Sequence, residues 1–178
     1  MQRSLKKIKL LVLDVDGVLT DGSLYIGPEG ECFKGFNAKD GLGISCALRH
    51  EVQVAIITGR SSEIIHRRAE ELGITLLYEG VKDKYAKLQQ LALQLGLARE
   101  EVAYMGDDLN DLPAFQAAGV ALAPADAVPE VAAAADFVMQ RRGGAGAVRE
   151  AIEMLLRAQD KWEQLVAAYL ACGQGDKQ

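Results

Sequence analysis

The chain has 178 residues, 49% of them apolar and 25% charged, with a formal net charge of −5. These values describe a soluble globular chain, most simply one domain over 1–178, and argue against nucleic acid and anionic membrane as main partners. Three widely spaced cysteines, Cys32, Cys46 and Cys172, form no disulfide or metal motif; with no apolar leader and no membrane-length apolar run, the cytoplasm is the expected compartment.

Ile8 to Leu13, apolar except for Lys9, reads as a strand buried on both faces, and it runs directly into Asp14-Val-Asp16-Gly17. Ser23 to Ile26 and Cys32 to Phe36 read as short strands around Gly27-Pro-Glu-Gly30, a β-hairpin beside the first strand's end. Asp40 is expected to cap a helix reaching about Arg49. Val52 to Ile57 is a second strand, ending in Thr58-Gly59-Arg60. Ser61 or Ser62 caps the next helix, which Gly73 ends. Ile74 to Leu77 is a third strand, Lys82 to Leu95 a third helix, and Val102 to Met105 a fourth strand before Gly106-Asp107-Asp108-Leu109-Asn110-Asp111. A helix (Leu112 to Ala118), a strand (Val120 to Leu122), a short helix (Val128 to Ala134) and an edge strand (Phe137 to Met139) follow. Gly143-Gly-Ala-Gly146 reads as a hinge or a flap. Beyond it lie one long amphipathic helix, about Ala147 to Leu170, and a disordered tail from Gly173.

This alternation predicts an α/β fold: a Rossmann-like parallel sheet with helices on both faces, a small hairpin protrusion and no large cap domain. Asp14 and Asp16 close the first strand, Thr58 the second. Lys84 opens the helix after the third, and Asp107, Asp108 and Asp111 follow the fourth. All four groups therefore fall on the sheet edge where ligands of such folds bind.

Two carboxylates at the end of a dry strand call for a compensating cation, and a hard ion with oxygen ligands, Mg²⁺ first, suits them. The alternative is a turn whose Asp side chains accept from backbone N–H groups. The remaining inventory favours phosphoryl transfer. A carboxylate can attack phosphorus; its neighbour two residues on lies on the same side of an extended segment and can shuttle a proton. Thr58 and the Gly59 N–H can hold phosphate oxygens, while Lys84 supplies fixed positive charge.

LDVDGVLTD, then Thr58-Gly-Arg, then Lys84, then GDDLNDLP resembles, in order and spacing, the four motifs of the haloacid dehalogenase superfamily of phosphohydrolases, from Leu10 to Pro113. The resemblance implies Asp14 as nucleophile and Asp16 as general acid/base, with Asp14, the Asp16 backbone carbonyl and Asp107 on Mg²⁺. It further implies Thr58 and Lys84 on phosphate, and Asp108 and Asp111 in support. The segments between motifs are too short for a cap. GVLTDG, Phe36-Asn-Ala-Lys-Asp-Gly41, HRRAEELGI and GGAGAVRE extend the resemblance to a capless group that acts on small sugar-acid phosphates. In that group the hairpin builds a homotetramer, and a neighbour's C-terminal segment closes the site.

Members acting on nine-carbon 9-phosphates tend to have Glu and Lys where this chain has Arg60 and Glu71, which favours an eight-carbon substrate. Gly59, Arg60, Arg68 and Arg149 are the candidate substrate-binding residues, the guanidiniums for a substrate carboxylate. Three other readings remain: a nine-carbon or other small sugar phosphate as substrate, a phosphatase-like oligomerisation module, and a signalling receiver domain. The last lacks its accepting Asp, since Leu77-Tyr78 ends the third strand.

Overall fold

Leu10–Leu13 (β1) offers water no polar side chain, and all four residues are buried. The computed structural model describes residues 5–172, with only the backbone of Cys172, so the expected disordered tail lies outside the described residues. β1 sits at the centre of a six-stranded sheet. Gln53–Ile57 (β4) and Leu76–Tyr78 (β5) lie to one side of it. Val102–Met105 (β6), Val120–Ala123 (β7) and Phe137–Val138 (β8) lie to the other. The order is β5-β4-β1-β6-β7-β8 and every pair is parallel. Between β1 and β4 the chain forms a separate antiparallel hairpin, Tyr25–Gly27 (β2) and Gly30–Phe33 (β3), shorter than the expected strands.

Strand alternation divides the core in two, because successive side chains point to opposite faces. Leu11, Leu13, Val54, Ile56 and Met105 pack against Ala38–Arg49 (α1), Glu63–Leu72 (α2) and the C-terminal helices. Leu10, Val12, Ala55, Ile57 and Tyr104 pack against Lys84–Gln94 (α3), Leu112–Ala117 (α4) and Pro129–Ala134 (α5). This is the expected two-sided α/β sheet, and no cap domain is inserted among the described residues. None of their helices is long and apolar enough to cross a membrane.

Ser62 caps α2, and Gly73 ends it in the left-handed conformation. Three expectations are corrected. Asn37, not Asp40, caps α1 by accepting from the Lys39 N–H. Asp40 is buried in the first turn and caps a different helix: its carboxylate accepts from the Arg149 N–H (2.7 Å) and the Gly146 N–H (3.3 Å). Gly146 has no side chain to cap with, so Asp40 satisfies those donors across the fold.

The long C-terminal helix is two helices, Ala147–Ala158 (α6) and Trp162–Cys172 (α7). Asp160 turns the chain between them at φ 59°. Gln159 donates to the Ile8 carbonyl and Lys161 to the His50 carbonyl there. The bend returns Trp162 and Leu165 to the core that holds Leu155.

The glycine run before α6 is no hinge. A Cβ on Gly143 would sit 1.7 Å from the Gly17 carbonyl oxygen, and the Gly144 N–H donates to the Val18 carbonyl (3.0 Å). The run is glycine because two backbones touch there. Gly143→Ala should therefore destabilise the protein by at least about 2 kcal/mol, a fall in Tm of roughly 4 to 8 °C in thermal unfolding. Gly35→Ala is the control, having no atom within 4 Å of the added Cβ, and should leave Tm unchanged.

Candidate active site

The carboxyl ends of the parallel strands deliver the predicted polar residues to one place. Asp14 continues the β1 ladder by donating its N–H to the Met105 carbonyl, and Thr58 continues β4 by donating to Tyr78. Asp107 follows β6 after Gly106, and Lys84 is the first residue of α3. A cleft of about 240 Å³ opens over this edge. Asp14, Asp16, Thr58, Gly59, Arg60, Asp107 and Asp108 line it, together with Gly22 and Asn110, which sequence reasoning passed over.

Beneath the cleft lies a buried charge cluster. The Lys84 ammonium sits 3.1 Å from Asp14 Oδ1 and 2.6 Å from Asp111 Oδ1. The Tyr104 hydroxyl donates to the same Asp111 oxygen at 2.7 Å, while the Asp107 and Asp108 N–H groups donate to Oδ2 (3.0 and 3.4 Å). Two donors on each oxygen fill the acceptor positions of a carboxylate. Asp111 is thus fully used in holding Lys84 and shaping the 107–108 turn.

Burial raises the Asp14 pKa to about 6; the Asp111 charge adds to this and Lys84 opposes it. Burial likewise raises Asp107 to about 7, assisted by Asp14, Asp111 and Asp108. Burial acts to lower the Lys84 pKa, but Asp14 and Asp111 together outweigh it and raise it. Burial, then the Asp111 and Asp14 charges, pushes the Tyr104 hydroxyl well above its usual range, so it stays a donor.

Asp14, Asp107 and Asp111 each bring a carboxylate oxygen within 4.8 Å of the others. With Asp111 saturated, Asp14 and Asp107 are the available pair. Asp107 Oδ1 is buried with no hydrogen-bond partner. A buried anionic oxygen without a donor is costly unless a cation approaches it. These residues therefore fit a hard divalent ion with oxygen ligands. Space is made for Asp107 by Gly17, at φ +90°, where a Cβ would meet Asp107 Oδ2 at 2.0 Å.

The Asp16 side chain is used otherwise. Its Oδ1 accepts from Lys34 Nζ at 2.5 Å, and Arg60 Nε lies 3.6 Å from Oδ2. Lys34, just past the hairpin, is a residue the sequence reading missed: nothing local distinguishes it from any exposed lysine, yet its side chain is only 1% exposed. Of the candidate guanidiniums, Arg60 alone lines the cleft. Arg68 pairs with Glu71 (2.8 Å) and lies over the Phe36 ring, and Arg149 pairs with Glu153 (2.7 Å) and lies over Trp162. Arg149 lines a separate cleft of about 600 Å³ beside α6.

The parallel sheet and the acid cluster at its switch point define a haloacid dehalogenase-like hydrolase, and that family's model matches residues 77–152. The 3-deoxy-D-manno-octulosonate 8-phosphate phosphatase of Escherichia coli K12 is 48% identical over 159 residues, 89% of this chain and 85% of the relative. The cobalt-bound deoxy-D-mannose-octulosonate 8-phosphate phosphatase of Haemophilus influenzae superposes with a TM-score of 0.90 at 43% identity, covering 93% of this chain and 98% of that one. A Moraxella catarrhalis 3-deoxy-D-manno-octulosonate 8-phosphate phosphatase, in complex with a magnesium ion, a phosphate ion and a KDO molecule, gives 0.90 at 40% identity, covering 93% and 95%. The chain belongs to this family of phosphatases within the haloacid dehalogenase-like hydrolases.

The raised carboxyl pKa values predict how metal and pH interact. A carboxyl whose pKa is raised by folding contributes stability that is present below pH about 4 and lost as pH rises through about 6 to 7. A divalent ion competes with those protons and offsets the loss. Millimolar Mg²⁺ should therefore raise Tm more at pH 7.5 than at pH 5.5, as read by calorimetry with a chelated control.

Proposed function

We propose that this chain is a magnesium-dependent phosphomonoester hydrolase that releases phosphate from 3-deoxy-D-manno-octulosonate 8-phosphate by way of phosphorylated Asp14. The observation that carries this reading is Asp14 itself: a carboxylate lining the cleft, held by a buried lysine that a second, saturated carboxylate fixes in place. The names of the relatives support the substrate, and the ions bound to two of them support a divalent metal.

Asp14, Asp107 and the backbone carbonyl of Asp16 would hold the ion, which when bound neutralises charge between the Asp14 carboxylate and the phosphate. Lys84 keeps Asp14 ionised and oriented, and with Thr58 and the Gly59 N–H it receives phosphate oxygens. Asp14 attacks phosphorus while Asp16 gives its proton to the departing sugar oxygen. Asp16 then takes a proton from the water that attacks the Asp14 phosphate. Asp108 and Asp111 hold the loop and Lys84. Arg60, at the cleft wall, is placed to pair with a substrate carboxylate; Arg68 and Arg149 would have to act from outside the cleft. The exposed apolar residues Ile26 and Phe33 of the hairpin, with Leu24 just before it, suit burial against another copy of the chain. The assembly proposed is the homotetramer that the family resemblance implies, and the compartment proposed is the cytoplasm.

Phosphate release is the test. The eight-carbon 8-phosphate should be hydrolysed in preference to a nine-carbon sialic-acid-type 9-phosphate, and a chelator should stop release. Asp14→Asn should reduce kcat by at least about 10³-fold, as loss of a covalent nucleophile does. Preference for the nine-carbon ester would keep the mechanism and overturn the substrate. No release of either, with Asp14→Asn matching wild type, would favour a structural module.

A further inference from the structure

We infer that Lys34 is a positioning residue for proton transfer: it anchors one oxygen of Asp16 so that the other serves the leaving group. The inference rests on the proposed acid/base role of Asp16. Lys34 Nζ donates to Asp16 Oδ1 at 2.5 Å, and its contact with Glu31 Oε1 (2.7 Å) is an ion pair outside hydrogen-bond angles. The buried ammonium, with three N–H donors, thus bridges the two carboxylates and ties Asp16 to Glu31. Glu31 is tied in turn to the body of the protein, since its Oε2 accepts from the Ser62 hydroxyl (2.5 Å) at the start of α2.

These contacts fix Asp16 from an unexpected direction. Asp16 follows β1, whereas Glu31 belongs to the hairpin, Lys34 comes just after it and Ser62 caps α2. Arg60 lies 3.6 Å from Asp16 Oδ2, too far to hold it tightly. Oδ1 is committed to Lys34, while Oδ2, at the cleft wall, has no hydrogen-bond partner among the described residues and is the oxygen left free to meet the leaving group. In the first half-reaction the phosphorus–sugar oxygen bond breaks, the bond to Asp14 forms, and the Asp16 proton moves to the sugar oxygen. In the second, water attacks phosphorus, Asp16 takes its proton, and the Asp14–phosphate bond breaks. Free rotation of Asp16 would leave bound substrate intact yet misplace that proton. The hairpin is thus part of the catalytic apparatus as well as a surface protrusion.

The test uses two esters that differ in their need for the proton. The sugar 8-phosphate releases an alkoxide that must be protonated, whereas p-nitrophenyl phosphate releases a stable phenolate. The constant kcat/KM covers steps through phosphoryl transfer to Asp14. For Lys34→Met it should fall about 10- to 100-fold on the sugar phosphate and change by less than about threefold on the aryl ester, the pattern of lost general-acid help. Asp16→Asn should show the same selectivity, larger in size, and Lys34→Arg should recover part of the loss. Equal losses on both esters, or none on either, would overturn the inference.

If Lys34→Met does not fold by circular dichroism, Glu31→Gln takes its place. It removes the second anchor of Lys34 and should show a smaller loss confined to the sugar phosphate; an unselective effect overturns the inference. Wild-type protein inert toward both esters would instead count against the nucleophile reading of Asp14.

Discussion

The Lys84 ammonium, buried between Asp14 and Asp111, is the contact on which the site depends. Removing a charge from water costs several kcal/mol, and only close, well-directed partners offset it. Removing one partner of such a pair typically costs about 3 to 5 kcal/mol, because the other charge is left stranded. Lys84 opens α3, Asp14 ends β1 and Asp111 closes the turn after β6. The ion cluster therefore requires three elements far apart in sequence to meet correctly. Tyr104 supplies the further donor that a buried carboxylate needs.

The sheet order explains why these elements meet. β1 is flanked by β4 and β6, so the chain departs from it in opposite directions and leaves a crevice at its carboxyl end. The Asp14–Asp21 loop in that crevice is then pressed from several sides. The Asp107 carboxylate occupies the space a side chain at Gly17 would need, and the Gly143–Gly144 backbone packs on Gly17 and Thr20. Lys34 reaches Asp16 from just beyond the hairpin. Local stiffness of this kind suits a site whose catalysis rests on placing charges, since little reorganisation is needed when the reaction begins.

Much of this was legible in the sequence because it is written in local pattern. Apolar runs fixed the strands, and the acids, Thr58 and Lys84 fall at their ends or in the loops that follow. What was not legible depends on distant partners. Asp40 has the chemistry of a cap and is one, but for α6, over a hundred residues away. The break at Asp160 interrupts a helical stripe that continues on either side; it follows from contacts with Ile8 and His50. Gly143 looks like a breaker by composition and proves to be a contact between backbones. Lys34 had no local signal at all, because a lysine between Phe33 and Gly35 gives no sign of the carboxylate it will meet. Arg68 and Arg149 show the converse, with suggestive positions but partners outside the cleft.

The central claim is that Asp14 becomes phosphorylated, and trapping it is the most direct test. Turnover of 3-deoxy-D-manno-octulosonate 8-phosphate would be quenched rapidly in acid and the protein digested for peptide mass spectrometry. The account predicts a phosphoryl group on the peptide bearing Asp14, accumulating and decaying with turnover and absent from Asp14→Asn. Full turnover with no phosphorylated peptide at any quench time, in protein where Asp14→Asn remains active, would contradict it.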